Sequence, residues 1–459
     1  MGKYEIRQWL TFFNKPTKSI MNRGTISEKE NLKREIGVRS FALAIINITV
    51  GTGIFVIPAI VAENLGAAAI IAYLVCGALM FLIALCFAEV GSKVTTSGGT
   101  YAYIETAFGK YPGFIANNLF WFGSGMLSDA AIANGLADTL KYFFPLLGNE
   151  IFRILFFIFI FGTLALINIR SAKSGVRFIE FATLAKLIPL VLLVIIGTGF
   201  ISTENLQWTT SPTIGSIGTA SLLLIFAFMG IESPITNSGE IKNSKRTVPL
   251  GIFYGISSVL ILYIAIQLVT QGVLGNTISA HKDSPLAAVA GIIFGKAGAL
   301  LIIIATSVSM LGALGGEILS IPRVLYAGAR DGVMPKALAK VHPRFFTPHV
   351  AIIFYSSMGL LFAASGEFKQ LAILSGAATL LIYLGVVLAT IKLRKPNMEV
   401  SEKTFRIPGG IIIPLLAICV IVWLLSNLSK QEFTSSAIFI IIFSLIYIAT
   451  KLLKKKPLI

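Results

Sequence analysis

The sequence predicts an all-α membrane protein of about twelve transmembrane helices: two inverted five-helix halves followed by two further helices. Three observations predict it. Of 459 residues, 55% are hydrophobic and only 13% charged, about half the charged fraction of a soluble chain. A soluble protein of this length would divide into cores with charged shells, and the charge for such shells is missing. Twelve apolar stretches reach the ~20 residues that span hydrocarbon when every backbone N–H and C=O is satisfied within the segment. Two of them, the first and the sixth, are interrupted near their middle.

The elements follow in order. Residues 1–39 are polar and basic, without the apolar run of a signal peptide, and read as a cytoplasmic tail. Within it, residues 5–13 suit either a short helix on the inner leaflet or an irregular tail. The first repeat, 40–200, holds spans at 40–63, 67–89, 113–140, 151–169 and 178–200. The second, 214–391, holds spans at 214–237, 248–272, 297–326, 349–365 and 369–391. Two more spans, 410–428 and 434–452, precede a basic cytoplasmic tail at 453–459.

An even number of spans puts both ends on one side, and the basic residues choose the side. With the ends inside, inner segments carry 31 of the 38 Lys and Arg, and outer loops carry six: Lys141, Arg153, Lys282, Lys296, Lys369 and Lys430. The net charge of +17 is therefore a record of topology in a multi-pass cell-membrane protein, and no nucleic-acid partner is expected. Cys76, Cys86 and Cys419 sit in apolar runs and are expected to fill the core without a disulfide framework. His281, His342 and His349 lie in loops or at span ends without ligand-like spacing, so no metal, no cofactor and no enzymatic constellation is expected.

The first span carries Val50, Gly51, Thr52, Gly53, Ile54 and Phe55 before Pro58; the sixth carries Phe226, Ala227, Phe228, Met229, Gly230, Ile231, Glu232, Ser233 and Pro234. Glycine and proline at these depths cost helix stability. In lipid such breaks survive where the freed backbone faces protein, water or a ligand. Half-helix N-termini then offer N–H groups to an anion and half-helix C-termini offer carbonyls to a cation, which together make a receptor for a zwitterion. Spans one and six are five apart, an odd number, so the halves run in opposite directions, as in inverted-repeat transporters. The competing reading, that these are packing glycines, weakens when both breaks fall at matched positions.

Four stretches resemble the amino acid–polyamine–organocation superfamily of permeases, with its leucine-transporter-like five-plus-five fold. They are Gly51-Thr52-Gly53-Ile54-Phe55 with Pro58; Phe226-Ala227-Phe228 with Gly230-Ile231-Glu232-Ser233; Ala88-Glu89-Val90 with Ser97-Gly98-Gly99-Thr100-Tyr101; and Arg323, Tyr326, Ala329-Arg330-Asp331-Gly332 with Val341-His342-Pro343-Arg344. Gly239-Glu240 before Lys242-Asn243-Ser244 departs from the family's loop after helix six, where two acidic residues often precede Lys-Asn-Pro. The resemblance implies that a substrate carboxylate meets the backbone around Gly51, Thr52, Gly53 and Ile54. It places the ammonium at carbonyls near Ile46, Asn47, Phe226 and Ala227, beside Gly230 and Ile231, and makes Phe228 an aromatic lid or else core filler.

Ionisable residues within spans are functional hypotheses by default. Lys186 lies about eight residues into the fifth span, ~12 Å of rise. In proton-coupled relatives a lysine at this point stands where sodium-coupled ones hold an ion, so the resemblance gives it the helix-one carbonyls and Ser309 as neighbours, with Ser307 nearby. Burial disfavours a charged ammonium, which brings proton exchange within reach; the alternative is a tether that stays charged. Asp129, in the third span, suits recognition of a cationic side chain, a proton relay, or capping by Ser124 or Ser128, and Glu232 joins it as a possible contact. Asp138 and Glu180, near span ends, are expected to be solvated.

The sequence thus points to an amino acid permease working by alternating access, with the proton as coupling ion and a neutral amino acid as its small-molecule partner. Exchange, and cationic amino acids or polyamines, remain alternatives. A channel filter would need symmetric repetition around a pore, and a sensor would use the breaks as hinges.

Overall fold

A computed structural model describes residues 37–94, 99–170, 186–208, 211–230, 242–330, 334–394 and 405–453, and the regular structure among them is entirely helical. The first span is two helices, α1 (Val38–Thr49) and α2 (Gly53–Leu65). Then come α3 (Ala69–Lys93) and a short helix, α4 (Gly99–Phe108). Next, α5 (Lys110–Asn118) runs through a π-helical stretch, Leu119–Leu127, into α6 (Ser128–Leu140). After α7 (Glu150–Arg170) and α8 (Lys186–Phe200), α9 (Ile214–Phe228) and α10 (Ser244–Leu274) follow. The chain continues with α11 (Pro285–Arg330), bent at Gly295 where φ is 67°, and with α12 (His349–Ser365) and α13 (Phe368–Lys392). It closes with α14 (Ile412–Leu425) and α15 (Lys430–Leu453).

Six helical stretches are long and apolar enough to cross a membrane, and five shorter apolar helices accompany them. Burial separates their places. The apolar window of α13 is 72% buried, whereas that of α15 is 0% buried, so α13 is core and α15 faces outward along its length. Ile151 and Phe159 on α7, Ile188 and Ile195 on α8, and Leu415 on α14 are likewise exposed. An apolar exterior of this extent is a lipid-facing one. Cys76 and Cys86 are buried and free, as their apolar context predicts, but Cys419 is exposed: a helix apolar on all sides gives no sequence signal of which side faces lipid.

Ion pairs close both ends. Glu89, fully buried at the end of α3, accepts from Arg394 (Nε 2.7 Å, Nη2 2.5 Å), Lys93 Nζ (2.9 Å) and the Ile407 backbone N–H (3.0 Å). One carboxylate thereby joins α3, the end of α13 and the segment entering α14, and it pushes the Arg394 guanidinium above its ordinary range. At the other end Lys282 bonds Glu63 (2.7 Å), Lys141 bonds Asp283 (3.1 Å), and Arg153 bonds Asp138 (2.5 Å) and Asn134 Oδ1 (2.7 Å). Asp138 is therefore not simply solvated: an arginine fifteen residues on in the chain reaches back to it.

The π-helical stretch was not expected from sequence. Its wider turn carries Ser124 against α13, where the hydroxyl pairs with Thr379 Oγ1 at 2.7 Å. Such insertions concentrate at functional sites. Residues 1–36 and the tail from 454 lie outside the described residues.

Candidate functional site

At the first break, Val50 leaves the helix (φ −69°, ψ 77°), its N–H still reaching Ile46 O, and α2 starts three residues later. The Gly51 N–H turns back to Thr49 O (2.6 Å) and the Phe55 N–H reaches Thr52 O (3.2 Å). The N–H groups of Thr52, Gly53 and Ile54 thus stand at a helix start without intrahelical acceptors. Pro58, having no N–H, leaves the Ile54 carbonyl without its usual donor one turn further on. The result is a half-helix N-terminus buried in the protein, with Thr52 4% and Ile54 0% exposed.

The second break meets it. Here α9 ends at Phe228, Met229 is extended (ψ 155°), and Gly230 takes φ 97°, a backbone region that side chains other than glycine's rarely allow. A Cβ on Gly53 would lie 2.9 Å from Ala227 Cα and Cβ, and one on Gly230 would lie 2.6 Å from Ile48 Cγ2. These two glycines let the broken segments touch backbone to side chain.

Tyr263 of α10 binds both. Its fully buried hydroxyl lies 2.7 Å from Thr49 O and 2.9 Å from Ala227 O, so a single proton serves the carbonyl ends of two half-helices. Its ring stands edge-on to Phe228 with centroids 5.1 Å apart, and Tyr73 lies 6.4 Å away on the ring's other contacts. Tyr73 donates to Gln267 Oε1 (3.1 Å). Around this junction Asn47 Oδ1, Thr49 Oγ1, Ser221 Oγ and Gln267 Nε2 are buried without a partner among the described residues. Buried polar atoms are normally satisfied, and the nearest of these to the first break, Asn47 Oδ1 and Thr49 Oγ1 at the end of α1, are free to meet a polar ligand or water.

Lys186, the first described residue of α8, is 9% exposed, and its Nζ donates to Asn47 O at 2.7 Å. Of the α1 terminal carbonyls, Ile46 O is held by Val50, Asn47 O by Lys186 and Thr49 O by Tyr263. Ser309 is buried on α11 without a hydrogen bond to the lysine, and Ser307 Oγ is buried without a partner among the described residues. Phe226, Ala227 and Phe228 are all buried; Phe226 stacks edge-on against Phe368 at 5.8 Å. The Met229 sulfur receives the hydroxyls of Thr379 (3.5 Å) and Ser375 (3.9 Å). Ile231 and Glu232 lie outside the described residues.

Asp129 is fully buried and belongs to a different group. Its Oδ2 accepts from the Tyr355 hydroxyl of α12 (2.9 Å), its Oδ1 has no partner among the described residues, and Glu317 of α11 is its electrostatic neighbour. Ser124 caps Thr379 rather than Asp129. Sequence reasoning missed Glu317, although the signal that found Asp129, an ionisable residue within a span, was available. It also missed Tyr263, for which a tyrosine in an apolar run gives no distinguishing signal. Among the described residues no three metal-liganding side chains cluster.

The family model described as amino acid permease matches residues 36–450. A branched-chain amino acid permease of Bacillus subtilis is 26% identical, over 92% of this chain and 94% of its own. A methylthioribose transporter of the same organism is 28% identical, over 92% and 94%. A serine/threonine exchanger, again from Bacillus subtilis, is 27% identical over 85% and 90%. Family and relatives are transporters rather than enzymes.

Proposed function

The chain belongs to the amino acid permease family, and from that premise we propose a proton-coupled secondary transporter that takes up a neutral amino acid by alternating access. The observation that carries the reading is the junction itself: unpaired N–H groups at Thr52, Gly53 and Ile54 face a break whose partner segment ends in carbonyls at Ala227. The carboxylate of an α-amino acid fits the first and its ammonium the second. Gly51 and Gly230 supply the turns, and the side chain of the substrate lies toward Phe228 and Met229, whose apolar character favours a neutral amino acid. A branched-chain permease among the relatives agrees with that preference.

In this reading twelve spans form two inverted repeats with both ends cytoplasmic, in the cell membrane. The broken spans, with α3 and α10, rock against a scaffold that includes α6, α7, α11 and α12. Lys186 couples the movement to protons. Charged, it holds Asn47 O and so fixes α1; neutral, it keeps fewer donors and a weaker hold. Ser309 lies on the neighbouring scaffold helix. Asp129 and Glu232 serve secondary roles, in proton passage or in contact with substrate.

Obligatory exchange is the second reading, favoured by the serine/threonine exchanger among the relatives; there Lys186 is a permanent tether. Proteoliposome uptake of a radiolabelled panel, including methylthioribose and polyamines, with and without an inward proton gradient, separates them. Gradient-driven uptake of neutral amino acids into empty vesicles supports symport. Uptake that needs preloaded amino acid and ignores the gradient supports exchange, and uptake of no amino acid overturns both.

A further inference from the structure

The cleft between the start of α5 and the end of α15 is unrelated to the helix breaks. It encloses about 450 Å³ and is lined by Tyr111, Tyr447, Ile448, Lys451 and Leu452. Its walls are fixed: the Tyr111 hydroxyl pairs with Ser444 Oγ at 2.8 Å, and the Tyr447 ring lies 5.2 Å from both Tyr111 and Phe114. Ile448 and Leu452 give it an apolar floor. Lys451 stands one turn from Tyr447 at the basic end of the last helix, and Lys110 directly precedes Tyr111. Lys392 lies over the Phe108 ring at 4.7 Å, two residues before Lys110. None of these three lysines has an acidic partner among the described residues.

An apolar floor, an aromatic collar and cations at the ends of the adjoining helices, Lys110 at the start of α5 and Lys451 near the end of α15, are the features of the membrane boundary. They match an amphiphile with a negative head and hydrocarbon tails. We propose that this cleft is a site for one anionic glycerophospholipid, its phosphate between Lys110 and Lys451, the Tyr111 and Tyr447 rings against its glycerol region, and an acyl chain along α15. Charge decides against a second copy of this chain as occupant: the same cleft would then face like-charged lysines, and apposed like charges are unfavourable. The lipid would add to the contacts that already hold α15, whose apolar window is 0% buried, against the bundle: Tyr111–Ser444, Phe114–Tyr447, Phe122–Phe439 and Trp121–Phe443. Basic pockets on the cytoplasmic side bind such headgroups generally.

The test is native mass spectrometry of the purified full-length protein, delipidated and titrated with phosphatidylglycerol or phosphatidylcholine. The wild type is expected to retain one phosphatidylglycerol in preference to phosphatidylcholine. At about five-fold per surface lysine, Lys110→Gln with Lys451→Gln lowers phosphatidylglycerol affinity about 25-fold and leaves phosphatidylcholine unchanged. Replacing Lys454, Lys455 and Lys456 by Gln, which removes three charges from the C-terminal tail, is expected to have a much smaller effect. Equal retention of both lipids by the wild type, unchanged affinity in the double variant, or an equal loss in the tail variant overturns the site. A dimer that survives delipidation and is abolished by Tyr447→Ala assigns the cleft to a second copy instead. Because the readout is binding, it stands apart from the outcome of any transport assay.

Discussion

Replacing Tyr263 by Phe removes one oxygen and nothing else from the junction of the two broken spans. The ring keeps its edge contact with Phe228 at 5.1 Å and its place near Tyr73, so packing is preserved. What is lost is the proton that lies between Thr49 O and Ala227 O. A buried carbonyl without its donor costs about 1–3 kcal/mol, while hydrogen bonds within membrane proteins average nearer ~0.6 kcal/mol. With two carbonyls sharing one proton, a loss of about 1–2 kcal/mol follows, equivalent to roughly 5- to 30-fold in an equilibrium constant. Two like-oriented carbonyl dipoles left facing each other also move apart, and the zwitterion site is spread between them. The expected result is a KM for uptake raised about ten-fold, with the purified protein still monodisperse and folded. Kinetics in proteoliposomes at several substrate concentrations measure it. A Tyr263→Phe protein with KM and maximal rate both within two-fold of wild type would refute the claim that this hydroxyl holds the two half-helices in register.

Gly53→Ala places a Cβ 2.9 Å from the Ala227 backbone, an overpacking of about 1–3 kcal/mol; uptake should fall at least ten-fold while a thermal unfolding assay still shows a folded protein. Gly230→Ala adds strain at φ 97° to a 2.6 Å clash with Ile48, so its melting temperature should drop further than that of Gly53→Ala. Glu89→Gln leaves Arg394 and Lys93 without their carboxylate at a buried site; breaking such a network costs about 3–5 kcal/mol, and loss of expression or of thermal stability in detergent checks it. Lys186→Met deletes the donor to Asn47 O; uptake should become independent of external pH while exchange of preloaded substrate persists, and a Met variant with wild-type pH dependence would remove the lysine from the coupling path.

Much of the helical order was legible because hydrophobic length and helix-breaking residues act locally. The break after Thr49 follows from Gly51, Gly53 and Pro58 within about two turns, and the charge of Lys186 in an apolar run demanded a partner, which the α1 carbonyls provide. Tyr263 was not legible: its function arises from where α10 lies against α1 and α9, a matter of tertiary packing that leaves no periodic trace. Neither was the π-helical stretch, since Gly123 and Gly125 permit it without requiring it. The apolar surplus that revealed the spans also concealed their orientation, because α14 and α15 are apolar on the faces toward lipid and protein alike. Asp129 was found by its charge, but its partner Tyr355, 226 residues away, was not.

The central claim is that the facing half-helix ends recognise the two charges of an α-amino acid. Competition against uptake of the transported amino acid tests it most directly, using its methyl ester, which lacks the carboxylate, and its deaminated acid, which lacks the ammonium. Each analogue should compete at least about 30-fold more weakly than the amino acid, since leaving a buried charge-binding site unfilled costs about 2–5 kcal/mol. If the deaminated acid competes as well as the amino acid itself, the carbonyls at this junction do not hold the ammonium and the account of the site is wrong.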